Sequence, residues 1–389
     1  MKFVSLAFGC KRLHFGLSVN PWAMATIKDV AREASVSIAT VSRVFNGANV
    51  VREETARRVR DVAASLRYAP HGGARSLITS RTNTLGVLLP DLYGEFFSEL
   101  IRGIDLTARR SGYHILLSRS CDGRTELEEA MRSMRGRVDG VLLMSPDIGA
   151  DSLLNFPLNL PVVLLCSASK GPDVDSVIIQ NCHGAREIVE HLISLGHRRI
   201  AIIKGAPGNY DAAERLRGYR EALRGAGIAP DQSLERPGDF TEAGGYSATL
   251  ELLAMKPRPT AIFGANDSMA IGAMSALRES RVRVPEDMAV AGFDDIPLAR
   301  YMDPPLSSVR VPISDLGARA VGMLLHGITH KNEHIRRRER VSTELVVRRS
   351  CGAPCAERPP PSGDSGIALK SRHRAPPTAR RNTTISGDT

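Results

Sequence analysis

Thr26-Ile-Lys-Asp-Val-Ala-Arg-Glu-Ala-Ser-Val-Ser-Ile-Ala-Thr-Val-Ser-Arg-Val-Phe-Asn-Gly47 is the stretch on which the fold turns. Thr26 can cap a helix together with Asp29, with Ile27, Val30 and Ala31 along one face. Ser35-Val36-Ser37 reads as a turn, and Ser37 can cap a second helix over 38–45. There Val41, Val44 and Phe45 fall at helical spacing and face inward, leaving Ile38, Ala39, Ser42 and Arg43 outward. Asn46-Gly47 ends it, and 53–66 carries Val59, Val62, Ala63 and Leu66 as a third helix. Two short helices, a tight turn and a buttressing third form the helix-turn-helix arrangement, in which Arg43 can donate to guanine edges. The competing reading is a small helical bundle with a solvated arginine.

Outward from this stretch, charge separates the chain. The 389 residues carry a formal net charge of +10. Residues 24–83 hold ten basic against five acidic groups and 331–389 hold thirteen against six, whereas 84–330 are net acidic. An acidic body with basic ends points to a polyanion that meets an end. No stretch approaches about 20 uninterrupted apolar residues, which argues against a transmembrane helix. Six cysteines without regular spacing do not make a disulfide framework and suit a reducing, cytoplasmic compartment. Residues 1–23 read as a non-native or disordered leader ahead of a start at Met24. Residues 350–389, with Pro359-Pro360-Pro361 and Arg380-Arg381, read as a disordered basic tail. No metal or cofactor is expected.

Between about 84 and 347 short apolar runs alternate with amphipathic segments. Expected strands are 84–89, 113–118, 140–144, 162–165, 200–204, 261–264 and 288–292; expected helices are 96–110, 124–135, 184–195, 213–225, 244–255, 267–278 and 314–325. This alternation predicts doubly wound parallel α/β sheets, and the length favours two similar lobes. Ligands of such sheets bind beyond the carboxyl ends of the strands. Those ends offer Asp91, Ser145 with Asp147, Asn266 with Asp267, and Asp294 with Asp295. Asp267 reads as a helix cap. Pro90-Asp-Leu-Tyr-Gly94 follows the first strand where a dinucleotide fold would place a glycine fingerprint, and no Walker loop occurs. His191 and His197 read as structural groups at a helix end. No nucleophile–base pair supports an enzyme.

The opening stretch closely resembles the signature of the lactose/galactose repressor (LacI/GalR) family. Glu53-Glu54-Thr55, Tyr68-Ala-Pro70, Ala74-Arg-Ser-Leu77, Leu85-Gly86-Val87, Glu190-His-Leu192, Gly196-His197, Asn266-Asp267 and Gly292-Phe-Asp-Asp295 continue the likeness over about 24–349. The resemblance implies a helix-turn-helix DNA-binding head at 24–70, a hinge at 71–83 and a two-lobed, periplasmic-binding-protein-like effector domain at 84–349. It implies a homodimer on double-stranded operator DNA, with affinity controlled by a small sugar or related metabolite. The operator set expected is Ser37, Ile38, Ala39, Thr40, Ser42, Arg43, Asn46 and Thr55, with Leu77 wedged into the minor groove from the hinge. The effector set expected is Asp91, Phe97, Asp147, Arg215, Phe240, Asn266 and Asp294. Ser35 stands where the family usually has Gly, Arg52 where a Ser caps the third helix, and His71-Gly72-Gly73 where larger residues are usual. Gln180 replaces a frequent Asp, which bears on sugar specificity. A periplasmic solute-binding protein would leave 24–83 without a purpose.

Overall fold

The computed structural model describes residues 25–45, 50–68, 81–119, 124–145, 160–167, 174–330 and 333–352. The expectations on Asn46, Asp147 and the 71–79 hinge with Leu77, and those on the leader and the tail beyond 352, lie outside the described residues.

The head is three helices, α1 (Ile27–Glu33), α2 (Ile38–Phe45) and α3 (Glu53–Ser65). Val30, Ala31, Ala34, Val41, Val59 and Ala63 form its core, with Phe45 and Tyr68 edge-to-face at 5.8 Å. At α1 the Asp29 carboxylate accepts from both the Thr26 amide (3.0 Å) and the Thr26 hydroxyl (2.7 Å). Ser37 Oγ accepts from the Thr40 amide at 3.1 Å, as a cap must. Arg52 supplies no cap to α3, so Glu53 and Glu54 answer its amino-terminal dipole alone.

The body holds two six-stranded sheets. In the first, β1 (Thr84–Leu89), β2 (His114–Arg119), β3 (Gly140–Met144), β4 (Val162–Leu165), β5 (Asp175–Ile179) and β11 (Arg338–Val341) lie all-parallel in the order β11-β5-β4-β3-β1-β2. Alternation splits its side chains between two layers. Leu88, Val141, Leu143 and Leu164 pack on α5 (Arg124–Met134) through Leu127, Met131 and Met134. Leu85, Val87, Leu89 and Leu142 face α4 (Glu95–Arg110) and α10 (Ile313–Thr329). A Cβ at Gly103 would run into the Ser314 carbonyl, so glycine there permits the close α4–α10 approach.

In the second sheet β6 (Ile200–Ile203), β7 (Glu235–Arg236), β8 (Ala261–Gly264), β9 (Ala289–Asp294), β10 (Ser307–Arg310) and β12 (Glu344–Val346) run in the order β12-β10-β9-β8-β6-β7. β12 is antiparallel to β10, a departure from the purely parallel sheets expected. The paired helices α6 (Asn181–Ser194) with α7 (Tyr210–Gly225), and α8 (Glu242–Ala254) with α9 (Asp267–Glu279), pack around this sheet. The chain passes between the lobes three times, at 179–181, 310–313 and 341–344. Ser350 and Cys351 are fully buried, and Ser350 Oγ donates to the Val290 carbonyl at 2.6 Å. The body therefore runs past 349 and the tail begins later than its composition suggested.

Ser35 adopts φ +53°, the left-handed region that a glycine occupies freely. Ser35→Gly is expected to stabilise the head by about 0.5–1 kcal/mol. A thermal melt no higher than that of the unaltered protein would contradict this.

Candidate functional site

A cavity of about 310 Å³ opens between the lobes. Asp91, Phe97 and Met144 line it from the first lobe, and Arg215, Phe240, Asn266 and Asp294 from the second. Six of the seven expected effector residues thus share one cavity; the seventh, Asp147, is not described. Asp91 Oδ1 accepts from the Leu92 amide at 2.7 Å, which holds the strand-end turn. Phe96 and Phe97 stand edge-to-face at 5.5 Å. Phe240 sits at φ +69° with its ring where a Cβ on Gly205 would be, so glycine clears space for the aromatic wall.

Arg215 is the centre of the floor and is almost fully buried. Its Nε donates to Asn181 Oδ1 at 2.8 Å and its Nη1 to the Ala265 carbonyl at 2.5 Å. Nη2 lies 3.0 Å from Asp294 Oδ1, and the guanidinium is stacked 3.9 Å from the Phe293 ring centre. The ion pair is not aligned as a hydrogen bond, so buried Asp294 Oδ1 has no aligned donor. Asp211, buried beside it, accepts from Asn181 Nδ2 at 2.7 Å. Two carboxylates therefore share one guanidinium away from water. Burial pushes Asp211 up to about 6, against the pull of Arg215 and with the charge of Asp294 adding to the rise. Burial likewise pushes Asp294 up to about 6 despite Arg215. Asp294 and Asp295 hold φ +105° and +53°, an unusual backbone for non-glycine residues that costs of order 1–3 kcal/mol each.

Several strand-end residues fall elsewhere. Asp267 does not cap α9: Asn266 does, its Oδ1 accepting from the Met269 amide at 2.9 Å while its Nδ2 donates to the Phe240 carbonyl at 3.0 Å. Asp267 is buried instead, accepting from Ser308 Oγ at 2.6 Å and the Ile296 amide at 2.8 Å. Asp295 is taken by Arg310 (2.8 Å) and Arg348 (2.6 Å), away from the cavity. Ser145 is buried, its amide donating to Ser167 Oγ at 3.4 Å. Gln180 faces a different hollow, between α6, α7 and β11, and does not line the cleft. His197 Nδ1 pairs with Thr260 Oγ1 at 3.0 Å and His191 Nε2 lies 3.5 Å from Cys351 Sγ, both structural positions. Asp211 and Asn181 went unread in the sequence. Asp211 lies seven residues beyond Lys204, past a Gly-Ala-Pro-Gly-Asn loop, so counting polar residues directly after a strand misses it. The cleft helix beginning at Tyr210 was the available signal.

On the head, Ser37, Ile38, Ala39 and Arg43 are exposed, and Thr40, Ser42 and Thr55 are half-buried. Ile38 keeps 46% of its surface in water. Ser37 and Thr40 share a hydroxyl–hydroxyl bond of 2.8 Å that orients the start of α2. Ser37, Ile38, Ala39 and Arg43 thus lie exposed at and beyond the α2 amino terminus, while Thr55 stands on α3.

Comparison with known proteins places both parts. Residues 26–71 match the model of bacterial regulatory proteins of the lacI family, and 189–351 match a periplasmic binding protein-like domain. The chain is 37% identical over 330 residues to the HTH-type transcriptional repressor PurR of Photobacterium profundum, covering 84% of this chain and 98% of the relative. The chain belongs to the lacI family. It is also 37% identical over 310 residues to the ribose operon repressor of Escherichia coli, covering 79% of this chain and 94% of the repressor. The lac repressor dimer bound to operator and the anti-inducer ONPF superposes with a TM-score of 0.78 at 30% identity, over 85% of this chain and 99% of that one. A complex of the transcriptional regulator CelR with cellobiose gives 0.64 at 34% identity, over 84% and 99%. Like these family members, the chain joins a helix-turn-helix head to a two-lobed α/β body.

The floor carries a pH signature. Asp211 binds its proton more tightly folded than unfolded, so between about pH 4 and 6 the folded state holds more protons and stability falls as pH rises. Asp211→Asn keeps an acceptor for Asn181 and removes this loss. The variant is expected to melt above the unaltered protein at pH 7.5, by at most about 3 kcal/mol, and to lose that advantage toward pH 4. An identical pH slope in both proteins would refute the assignment.

Proposed function

We propose that the chain is a transcriptional repressor that binds operator DNA through the exposed face of α2 and is regulated by a small molecule held in the cleft. The observation that carries this reading is the convergence of Asp91, Phe97, Arg215, Phe240, Asn266 and Asp294 on one interlobe cavity, in a family whose named relatives are repressors. Aromatic faces stack on a flat or ring-shaped ligand, and the Arg, Asn and Asp groups set a fixed polar pattern around it. Structures of relatives with cellobiose and with ribose support a sugar or related metabolite as the regulating ligand.

On the head, Arg43 reads a base edge while Ser37, Ile38, Ala39, Thr40, Ser42, Asn46 and Thr55 set contact and register. Leu77 acts as the minor-groove wedge. The lac repressor dimer on operator supports a homodimer that presents two heads to a pseudo-palindrome. Ligand changes the angle between the lobes, which biases the spacing of the two hinges and hence operator affinity, with the reciprocal effect of operator on ligand affinity. Such a protein works in the cytoplasm at the nucleoid. Among the described residues no helix is long and apolar enough to cross a membrane.

Two substitutions test the two halves. Arg43→Ala is expected to cost about 1–3 kcal/mol on the cognate operator and to relax discrimination at one base pair. Equal losses on cognate and random DNA, compared at one salt concentration, would reduce it to a phosphate contact. Arg215→Ala is expected to abolish the ligand response; because it leaves buried Asp211 and Asp294 without their cation, a thermal melt first confirms that the variant is folded. Unaltered calorimetric ligand affinity in this variant would remove Arg215 from the site.

A further inference from the structure

We propose that His326, His330 and His334 form a binding site for a divalent transition-metal ion of the zinc, nickel or copper class. The site belongs to the first lobe and shares no residue with the lining of the cleft cavity.

The three imidazoles are gathered where α10 ends and the chain turns toward β11. His326 stands in the last turn of α10 and His330 follows one helical turn later, so their rings stack at 4.4 Å between centres. His334 brings its ring to 5.0 Å from that of His326, with the two Nδ1 atoms 2.8 Å apart. His326 and His330 are exposed, which opens the cluster to an ion from solvent.

His334 is already oriented as a metal ligand would be. Its Nε2 meets the buried carboxylate of Asp175, at the start of β5, at 2.5 Å, and the other oxygen of Asp175 accepts from the Arg337 amide at 3.0 Å. A carboxylate that takes the hydrogen of one ring nitrogen fixes the tautomer and leaves the lone pair on the other, the arrangement found behind most metal-bound histidines. Here that other nitrogen is directed at His326 Nδ1. Without an ion, His326 Nδ1 carries the hydrogen between the two rings. With one, that hydrogen moves through solvent to His326 Nε2, and both Nδ1 lone pairs face the metal. Two nitrogens each about 2.0–2.1 Å from one ion lie roughly 2.9–3.4 Å apart for right-angle to tetrahedral bonding, so the pair has to open by at most about 0.6 Å.

Among the described residues no three such groups already converge on one point. The third nitrogen comes from a turn of the exposed His330 ring, whose Nδ1 pairs with Thr329 Oγ1 at 2.8 Å and whose Nε2 is left for the ion. Asp175 favours positive charge at His326 and Arg337 opposes it, so the nitrogen donors rather than net charge set the affinity. Imidazole donors suit zinc, nickel and copper, whereas magnesium and calcium take oxygen ligands. The bound ion would join α10 to the segment that leads through β11 into the third passage between the lobes.

The test is a titration of the full chain, stripped of metal with a chelator, with zinc, nickel and copper(II) chloride in turn, read by calorimetry and thermal melting. At least one of these ions is expected to bind and to raise the melting temperature, with no uptake of magnesium. His326→Ala, at an exposed position, is expected to weaken this binding at least about ten-fold and to abolish the rise in melting temperature, while its metal-free circular dichroism matches that of the unaltered chain. His330→Ala is expected to act in the same direction. Asp175→Asn, which leaves the three imidazoles in place, is expected to weaken binding about 10–100-fold through the orientation of His334. Identical titrations of the unaltered chain and His326→Ala, or no uptake of any of the three ions, overturn the inference; in the first case the other histidines and the cysteines of the chain hold the metal.

Discussion

A guanidinium cannot be buried without company, and that constraint organises the cleft-facing side of the second lobe. Arg215 is removed from water, so each of its nitrogens has to find an acceptor within the protein. It recruits the side chain of Asn181 from the start of α6, the carbonyl of Ala265 beyond β8, and Asp294 at the end of β9. Three separate segments are thereby drawn to one point. The backbone at Asp294 and Asp295 bends through positive φ to bring both carboxylates to their partners, one to Arg215 and the other to Arg310 and Arg348. The second carboxylate at the floor, Asp211, tilts the balance negative and makes the site an acceptor surface.

Much of the architecture was legible because the lobes repeat one physical pattern. β1, β3, β4 and β8 are short apolar runs buried on both faces, and their expected bounds coincide with those observed. The strands that escaped are the ones that break this pattern. β5 opens on Asp175 and Ser176, both buried, because Asp175 accepts from His334 Nε2 and from the Arg337 amide. β10 reads Ser-Ser-Val-Arg, with Ser307 and Ser308 fully buried among partners distant in sequence. β11 is an exposed edge strand of alternating Arg and Glu, without an apolar run to announce it. In each case hydrogen bonds over 41 to 162 positions, or an edge location, decide the conformation, and no local window contains that information.

The site shows the same division. Asp91, Asn266 and Asp294 were readable as strand-end polar groups, and they do line the cavity. Phe97, Arg215 and Phe240 needed the family resemblance, since an aromatic on an amphipathic helix is ordinarily core. Asp267, Ser145 and Asp295 share the strand-end position but not the cavity. For Asp267 and Asp295 the reason is local: Ser308, Arg310 and Arg348 reach them first from β10 and the last segment of the chain. Position after a strand nominates a residue; the number of protein donors already directed at its oxygens decides whether it remains available to a ligand.

That competition for donors also links the floor to the passages between the lobes. Asn181 is the first helical residue after the crossing from β5, and its amide side chain touches both Arg215 and Asp211. Immediately before it, the Gln180 amide donates to the Val341 carbonyl at 3.0 Å, which ties the first passage to the third. The second passage is tied to the floor directly, because the Val311 amide donates to the Asp294 carbonyl at 3.1 Å. Arg310 then spans from Asp295 to Glu344 at 2.8 and 2.9 Å, joining the second passage to the third. A ligand that donates to Asp211 and Asp294 changes what Arg215 and Asn181 must satisfy, and these groups sit one bond from the backbone that turns between lobes. The cleft floor and the crossings thus form a contiguous hydrogen-bonded network.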